Sequence, residues 1–136
     1  MSFYQKKSAD ELKRLRESGK RLSAVLATVA AAVAPGVSTE DLDRIAEREI
    51  RACGGLPIFK GYGAEWGKPF PASLCTSINE EVVHGIPNPK RIIQEGDLVK
   101  LDIGLRFEGM VSDMARTIAV GPVTAEAQHL LDVTRE

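Results

Sequence analysis

Two aspartates, Asp102 and Asp113, are the residues whose type and spacing most directly suggest chemistry in this sequence. Glu108-Gly109 lies between them and has the character of a two-residue β-hairpin loop, of the kind that Asp-Gly forms. With that loop, Gly104 lies opposite Asp113. Asp102 shares the same face, because side chains two residues apart on a strand point the same way. The carboxylates are then diagonal cross-strand neighbours, roughly 7–8 Å apart between backbones.

Such a carboxylate pair suits a divalent metal ion. Two carboxylates on a partly buried face repel each other unless they are protonated or neutralised by a cation, and hard divalent ions prefer oxygen ligands. We expect Gly104 to leave the space between them unfilled. Spacing alone does not distinguish this metal site from a solvated face on which one aspartate forms an ion pair with Lys100, Arg106 or Arg116. A different loop length would place the two aspartates on opposite faces.

His84 is a candidate for acid–base or hydrogen-bonding chemistry. It follows two valines and precedes Gly-Ile-Pro. A lone histidine beside apolar residues is more often structural than catalytic, but a segment punctuated by glycine and proline can project a side chain into a cleft. Both interpretations stay open.

Residues 56–71 combine many glycines and prolines with most of the aromatic residues of the chain. Loops are normally polar, so aromatic side chains on a loop indicate either a pocket wall or a plug at the end of the core, and the sequence favours neither. The aromatic residues are Phe59, Tyr62, Trp66 and Phe70.

The elements that position these residues are predicted from capping and turn signals. Ser8 and Glu11 form a capping box for a first helix, Ser38 begins a second, and Thr124 begins a last amphipathic one. Strands are predicted over residues 72–78, 98–107 and 110–120. Two helices, an antiparallel sheet and a C-terminal helix make an α+β fold rather than a βαβ fold.

Composition narrows the functional class. The chain has 136 residues, 43% of them hydrophobic, and a net charge of −1. That is one domain of ordinary size with no basic surface for nucleic acid or an anionic membrane. Cys53 and Cys75 are too few for a disulfide framework. The longest apolar run, residues 24–34, is shorter than the ~20 residues that span a bilayer. We see no signal peptide and expect a cytoplasmic protein.

Two segments resemble a known family. The sequence from Ser73 to Pro87, Ser-Leu-Cys-Thr-Ser-Ile-Asn-Glu-Glu-Val-Val-His-Gly-Ile-Pro, resembles the signature of type I methionine aminopeptidases. Residues 96–104 and the later Ser112-Asp113 resemble the segments that carry the family's first two metal ligands. The resemblance covers essentially the whole chain.

This resemblance implies a fold, cofactors and an activity. Residues 1–136 would be the N-terminal half of a pita-bread (creatinase/aminopeptidase-like) fold, in which two pseudo-symmetric halves surround a dinuclear centre. The cofactors would be two divalent metal ions of the Co, Mn, Fe or Zn type. The activity would be hydrolytic removal of N-terminal methionine from nascent proteins, with the N-terminal methionine of the peptide as the ligand.

The resemblance also implies roles for single residues. Asp102 would chelate one metal ion and Asp113 would bridge both. His84 would contact the peptide at the scissile bond. The pocket for the methionine side chain would be lined by Cys75, Tyr62, Phe59 and Phe70.

The sequence departs from the family pattern in two respects. The family's site also uses one histidine and two glutamates from a C-terminal half, which is absent here, so the metal site is incomplete in this chain. The partner that completes it would be a missing C-terminal half or a second copy. Alternatively, the chain is a non-catalytic peptide- or protein-binding module. The stretch from Gly63 to Pro71 is also longer than usual, and Trp66 has no assigned counterpart.

Overall fold

The computed structural model describes residues 6–135. It has the predicted order of two helices, an antiparallel sheet and a last helix. A short 3₁₀ turn follows β1, and neither of these two elements was predicted. The elements are α1 (Ala9–Ala31), α2 (Thr39–Ala52), β1 (Leu56–Pro57), the 3₁₀ turn (Ala64–Trp66), β2 (Leu74–Ile78), β3 (Leu98–Phe107), β4 (Met110–Ala119) and α3 (Ala125–Val133).

The predicted caps begin the helices. In α1 the Ser8 hydroxyl accepts a hydrogen bond from the backbone N–H of Glu11 at 3.2 Å, and the Glu11 carboxylate accepts one from the N–H of Ser8 at 2.7 Å. Ser38 and Asp41 form the same capping box on α2. The hydroxyl of Thr124 accepts from the N–H of Ala127 at the start of α3. Each cap satisfies N–H groups that have no partner within the helix.

The sheet is built around β3. Strand β4 pairs with one edge of β3, while β1 and β2 pair end to end with the other edge, all antiparallel. Glu108 and Gly109 both have positive φ, at 46° and 79°, as the type I′ turn of a two-residue hairpin requires. The hairpin prediction is therefore confirmed.

The core lies between the helices and one face of the sheet. The odd-numbered residues of β3 point into it, and α1 and α2 cover them with leucine, valine and isoleucine side chains. Each such side chain stabilises the fold by about 1.5–3 kcal/mol on burial. The fully buried members from the helices and β3 are Leu22, Val29, Leu42, Ile50, Val99, Leu101, Ile103 and Leu105.

Helix α3 packs much less than the other elements. None of its residues is buried, and Leu130 and Val133 are 64% and 53% exposed. None of the helices among residues 6–135 combines the length and apolar character needed to cross a lipid bilayer.

Candidate active-site cleft

The face of the sheet away from the helices carries the carboxylate pair. Gly104 lies opposite Asp113, and Asp102 lies opposite Ala115, as the two-residue loop predicts. Paired residues of an antiparallel ladder project to the same side, so both aspartates point to this face. On the other neighbouring strand, Cys75 lies directly opposite Asp102.

The expectation that Gly104 leaves an unfilled space is wrong. A Cβ atom at Gly104 would lie 2.6 Å from Cδ1 of Ile58 and 3.1 Å from Cε1 of Phe59. The missing side chain therefore lets the segment after β1 lie against the sheet beside the two carboxylates. Sequence reasoning missed Ile58 because this contact depends on tertiary packing.

Neither Asp102 nor Asp113 takes part in an ion pair within residues 6–135. The Lys100 ammonium instead donates to the backbone carbonyls of Asn79 and Glu81, at 2.6 and 2.9 Å. Arg116 lies opposite Leu101 in the ladder and so projects to the helix side. Arg106 lies on the same face as the carboxylates but forms no ion pair with either of them within residues 6–135. The paired form of the alternative is thus absent from the described residues.

Burial and mutual repulsion define the electrostatics of this face. Burial raises the pKa of Asp102, the neighbouring Asp113 raises it further, and His84 acts in the opposite direction. Burial, Asp102 and Asp113 together raise the pKa of the Cys75 thiol to about 12. Cys75 is therefore a neutral thiol at physiological pH, and the face would gain from a bound cation.

His84 is held at the cleft by its neighbours along the chain. Its φ is +60°, a left-handed conformation that residues other than glycine seldom adopt. The N–H of Thr76 donates to the carbonyl of Gly85 at 2.9 Å, and the N–H of Gly85 donates to the Ser77 hydroxyl at 3.0 Å. A Cβ atom on Gly85 would lie 2.0 Å from the Thr76 oxygen. Only glycine allows this close contact with β2.

The aromatic loop forms one wall of the cleft rather than a plug of the core. Two backbone hydrogen bonds close it, from Gly61 to Phe70 at 2.8 Å and from Phe70 to Tyr62 at 2.7 Å. Tyr62 and Trp66 are 66% and 68% exposed, and their rings meet edge to face with centroids 5.8 Å apart.

One cleft of about 920 Å³ contains every site residue predicted from the sequence. This volume lies within the ~300–1,000 Å³ range of small-molecule sites. The cleft brings together two carboxylates on its floor, an imidazole and an apolar wall. These groups suit a ligand that carries an amine or is bound through a metal ion. The seven predicted residues are Phe59, Tyr62, Phe70, Cys75, His84, Asp102 and Asp113.

Two acidic residues of α2 fix the start of β2, a role that the sequence did not reveal. The Asp43 carboxylate accepts from the N–H groups of Ser73 and Leu74 at 2.8 and 2.9 Å. The Glu47 carboxylate accepts from Lys60 at 2.7 Å and from the Ser73 hydroxyl at 3.3 Å. These bonds join α2 both to β2, which carries Cys75, and to the aromatic loop.

The chain is similar to a known family of metallopeptidases. Residues 13–136 match the family model described as metallopeptidase family M24. The chain belongs to this family. M24 proteins are metallopeptidases by description, which agrees with a cleft whose floor is a carboxylate pair.

Particular M24 relatives are methionine aminopeptidases. The chain is 45% identical to the methionine aminopeptidase of Clostridium acetobutylicum over 130 residues, covering 96% of this chain and 50% of that one. The crystal structure of methionine aminopeptidase from Thermotoga maritima superposes with a TM-score of 0.89 at 31% identity, covering 96% of this chain and 51% of that one. The chain spans about half the length of the curated relatives it matches.

A more distant M24 likeness concerns the fold alone. The Xaa-Pro dipeptidase from Bacillus anthracis superposes with a TM-score of 0.75 at 24% identity, covering 93% of this chain and 33% of that one. The α+β class and its correspondence to half of the pita-bread fold are therefore confirmed.

The donor set of the cleft fits a divalent metal ion, although not completely. Asp102 and Asp113 supply hard oxygen ligands on one face, and neither has an ion-pair partner in the part of the chain that the structure describes. Within residues 6–135, no group of three or more histidine, cysteine, aspartate or glutamate side chains is arranged to hold a metal ion. Two carboxylates thus form part of a site that needs further ligands.

Proposed function

We infer that this chain is the N-terminal half of a methionine aminopeptidase catalytic domain, acting in metal-dependent removal of N-terminal methionine from nascent proteins in the cytoplasm. The observation that carries this proposal is the cleft that unites His84, an apolar wall and two carboxylates, neither of which forms an ion pair within residues 6–135. The sequence identity to methionine aminopeptidases, which extends over 96% of the chain, supports N-terminal methionine as the residue that is removed.

Each group of the cleft has a role in this proposal. Asp102 and Asp113 hold the metal ions, and Cys75 and the aromatic wall take the methionine side chain. A thioether is soft and polarisable and packs well against aromatic edges and sulfur. The Cys75 thiol stays neutral because its pKa is raised to about 12, so it adds no charge to an apolar pocket.

His84 contacts the peptide at the scissile amide. Its imidazole lines the same cleft as the carboxylates, and the Gly85 contacts with β2 hold its backbone in place. A bound divalent ion of the Co, Mn, Fe or Zn type supplies a Lewis acid and lowers the pKa of water. The histidine side chain supplies hydrogen bonding to the reacting amide, and the two carboxylates position the metal.

Peptide hydrolysis tests this function. The purified chain is incubated with Met-Ala-Ser and Mn²⁺, beside Asp102→Asn and the control Asp10→Asn, which alters an exposed aspartate of α1 paired with Arg14. Release of methionine by the chain and by Asp10→Asn, but not by Asp102→Asn, is the expected result. If the chain needs its C-terminal half, the same pattern should be seen in the assembled protein. Equal release by all three would contradict the proposal.

A second candidate is a non-catalytic peptide-binding module that retains half of the fold. It is favoured by one observation, that the described residues supply only a two-carboxylate part of a metal site. Under this alternative, peptide binds to the cleft without metal-dependent cleavage. Calorimetric binding of Met-Ala-Ser in the presence of a chelator, with no hydrolysis after Mn²⁺ is added, would favour the module over the enzyme.

A further inference from the structure

The lining of the cleft also includes residues of a different chemistry that the pocket assigned to methionine does not use. Trp66, Lys68 and Arg106 line the same cavity as the carboxylates. Neither Lys68 nor Arg106 takes part in an ion pair within residues 6–135. The cleft therefore has acidic groups on its floor and free cationic groups elsewhere on its lining.

The ladder register gives the spacing between these two regions. Arg106 lies four residues along β3 from Asp102, on the same face and opposite Val111. At about 3.3 Å per residue, the backbones of Arg106 and Asp102 are roughly 13 Å apart along the strand. Arg106 is also a diagonal cross-strand neighbour of Asp113, roughly 7–8 Å away between backbones. An extended peptide advances about 3.3–3.6 Å per residue. A peptide whose first residue lies at the carboxylate pair therefore comes within reach of the long Arg106 side chain between roughly its second and fourth residues.

Trp66 is built as a fixed contact surface rather than a loose side chain. The backbone N–H of Trp66 donates to the Gly63 carbonyl at 3.0 Å. The indole lies so close over Gly63 that a Cβ there would be 3.3 Å from Cε3, and its edge meets Tyr62. Yet Trp66 is 68% exposed. Tryptophan is enriched at binding surfaces, where tryptophan and arginine are among the residues that contribute most to affinity.

We propose that Trp66, Lys68 and Arg106 form a downstream subsite that recognises a carboxylate-bearing residue at positions two to four of the peptide substrate. This rests on the proposed function, because it takes the first residue to lie at the carboxylate pair. Charge complementarity selects the ligand class: acidic side chains are favoured over basic ones, and the indole packs against the apolar part of the peptide.

Binding of two matched peptides to the full chain tests the subsite. Met-Ala-Glu-Leu and Met-Ala-Lys-Leu are titrated by calorimetry at low salt with Mn²⁺ present. We expect the glutamate peptide to bind about fivefold more tightly, the scale of exposed ion pairs, and the preference to shrink as salt is raised. The double variant Lys68→Ala/Arg106→Ala should lose the preference, while Lys20→Ala, which removes an exposed lysine of α1 outside the cleft, should keep it.

Trp66 supplies an independent signal because it is the only tryptophan. Its emission should shift to the blue when either peptide covers the indole, and Trp66→Ala should weaken both peptides alike. Equal affinities for the two peptides, no measurable binding, or unchanged emission at saturation would overturn the subsite. Charge-selective binding without hydrolysis would leave the subsite standing and contradict the catalytic proposal. Hydrolysis without charge preference would support the catalytic proposal and contradict the subsite.

Discussion

Gly104 lies directly opposite Asp113 across the β3–β4 ladder, and this pairing sets the geometry of the cleft. It places Asp102 on the same face as Asp113, and it lets the side chain of Ile58 lie where a Cβ would otherwise be. One register thus brings together the carboxylate pair and the wall beside it.

The contact between Gly104 and Ile58 predicts the effect of adding one methyl group. Gly104→Ala would place Cβ 2.6 Å from Cδ1 and 2.9 Å from Cγ1 of Ile58. We expect a loss of about 1–3 kcal/mol in the free energy of unfolding, measured in urea, as for other overpacked sites. The double variant Gly104→Ala/Ile58→Ala removes both clashing atoms and should cost less than the sum of its single changes. Strict additivity would show that the two residues do not compete for space.

The close approach of Gly85 to β2 predicts a larger effect. Gly85→Ala would bring Cβ to 2.0 Å from the Thr76 carbonyl oxygen, so the segment carrying His84 must leave β2. We expect weaker peptide binding and a lower melting temperature. Gly19→Ala in α1 meets no atom within 4 Å and should be neutral or stabilising by up to about 1 kcal/mol. Equal melting temperatures for the two variants would contradict the contact.

His84 should matter for turnover and not for metal binding. His84→Asn keeps a residue that tolerates positive φ and removes the imidazole. We expect hydrolysis of Met-Ala-Ser to fall by about 100-fold, the lower range for lost acid–base or hydrogen-bonding catalysis. The affinity for Mn²⁺ should stay within about twofold by calorimetry. A large loss of Mn²⁺ affinity would instead identify His84 as a ligand or as a structural support.

Glu47 should give the stability of the chain a specific pH dependence. Hydrogen bonds from Lys60 and Arg51 lower its pKa to about 2. A carboxyl group whose pKa is lowered on folding stabilises the folded state above its unfolded pKa, about 4.5, and this contribution is lost as pH falls toward 2. Glu47→Gln should therefore cost about 1 kcal/mol at pH 7 and progressively less below pH 4.5. A constant difference in urea midpoint from pH 7 to pH 3 would contradict this assignment.

Local signals account for what the sequence predicted well. Ser8, Ser38 and Thr124 begin helices because their hydroxyls satisfy N–H groups a few residues away, and Glu108-Gly109 sets the hairpin register through its own backbone conformation. Such interactions span two to four residues, so a sequence pattern contains them. The register then placed both aspartates on one face.

Long-range contacts account for what the sequence did not predict. Strand β1 has only two residues, which pair with β3 beyond the part that pairs with β2. No local sequence pattern indicates this strand, because it depends on contact with β3. The position of Ile58 over Gly104, and the bond from Gly85 to Ser77, join residues that only the folded chain brings together. The grouping of His84 with the carboxylates was predicted from the family resemblance. The position of His84 in the sequence did not by itself decide whether it is structural or lies in the cleft.

Calorimetric titration with Mn²⁺ tests most directly the central claim that Asp102 and Asp113 form a metal-binding carboxylate pair. The full chain, Asp102→Asn, Asp113→Asn and the control Asp10→Asn are compared at pH 7.5, with circular dichroism to show that each is folded. The account predicts Mn²⁺ binding by the full chain and by Asp10→Asn, weakened at least tenfold in each of the other two. Unchanged affinity in Asp102→Asn and Asp113→Asn would contradict it.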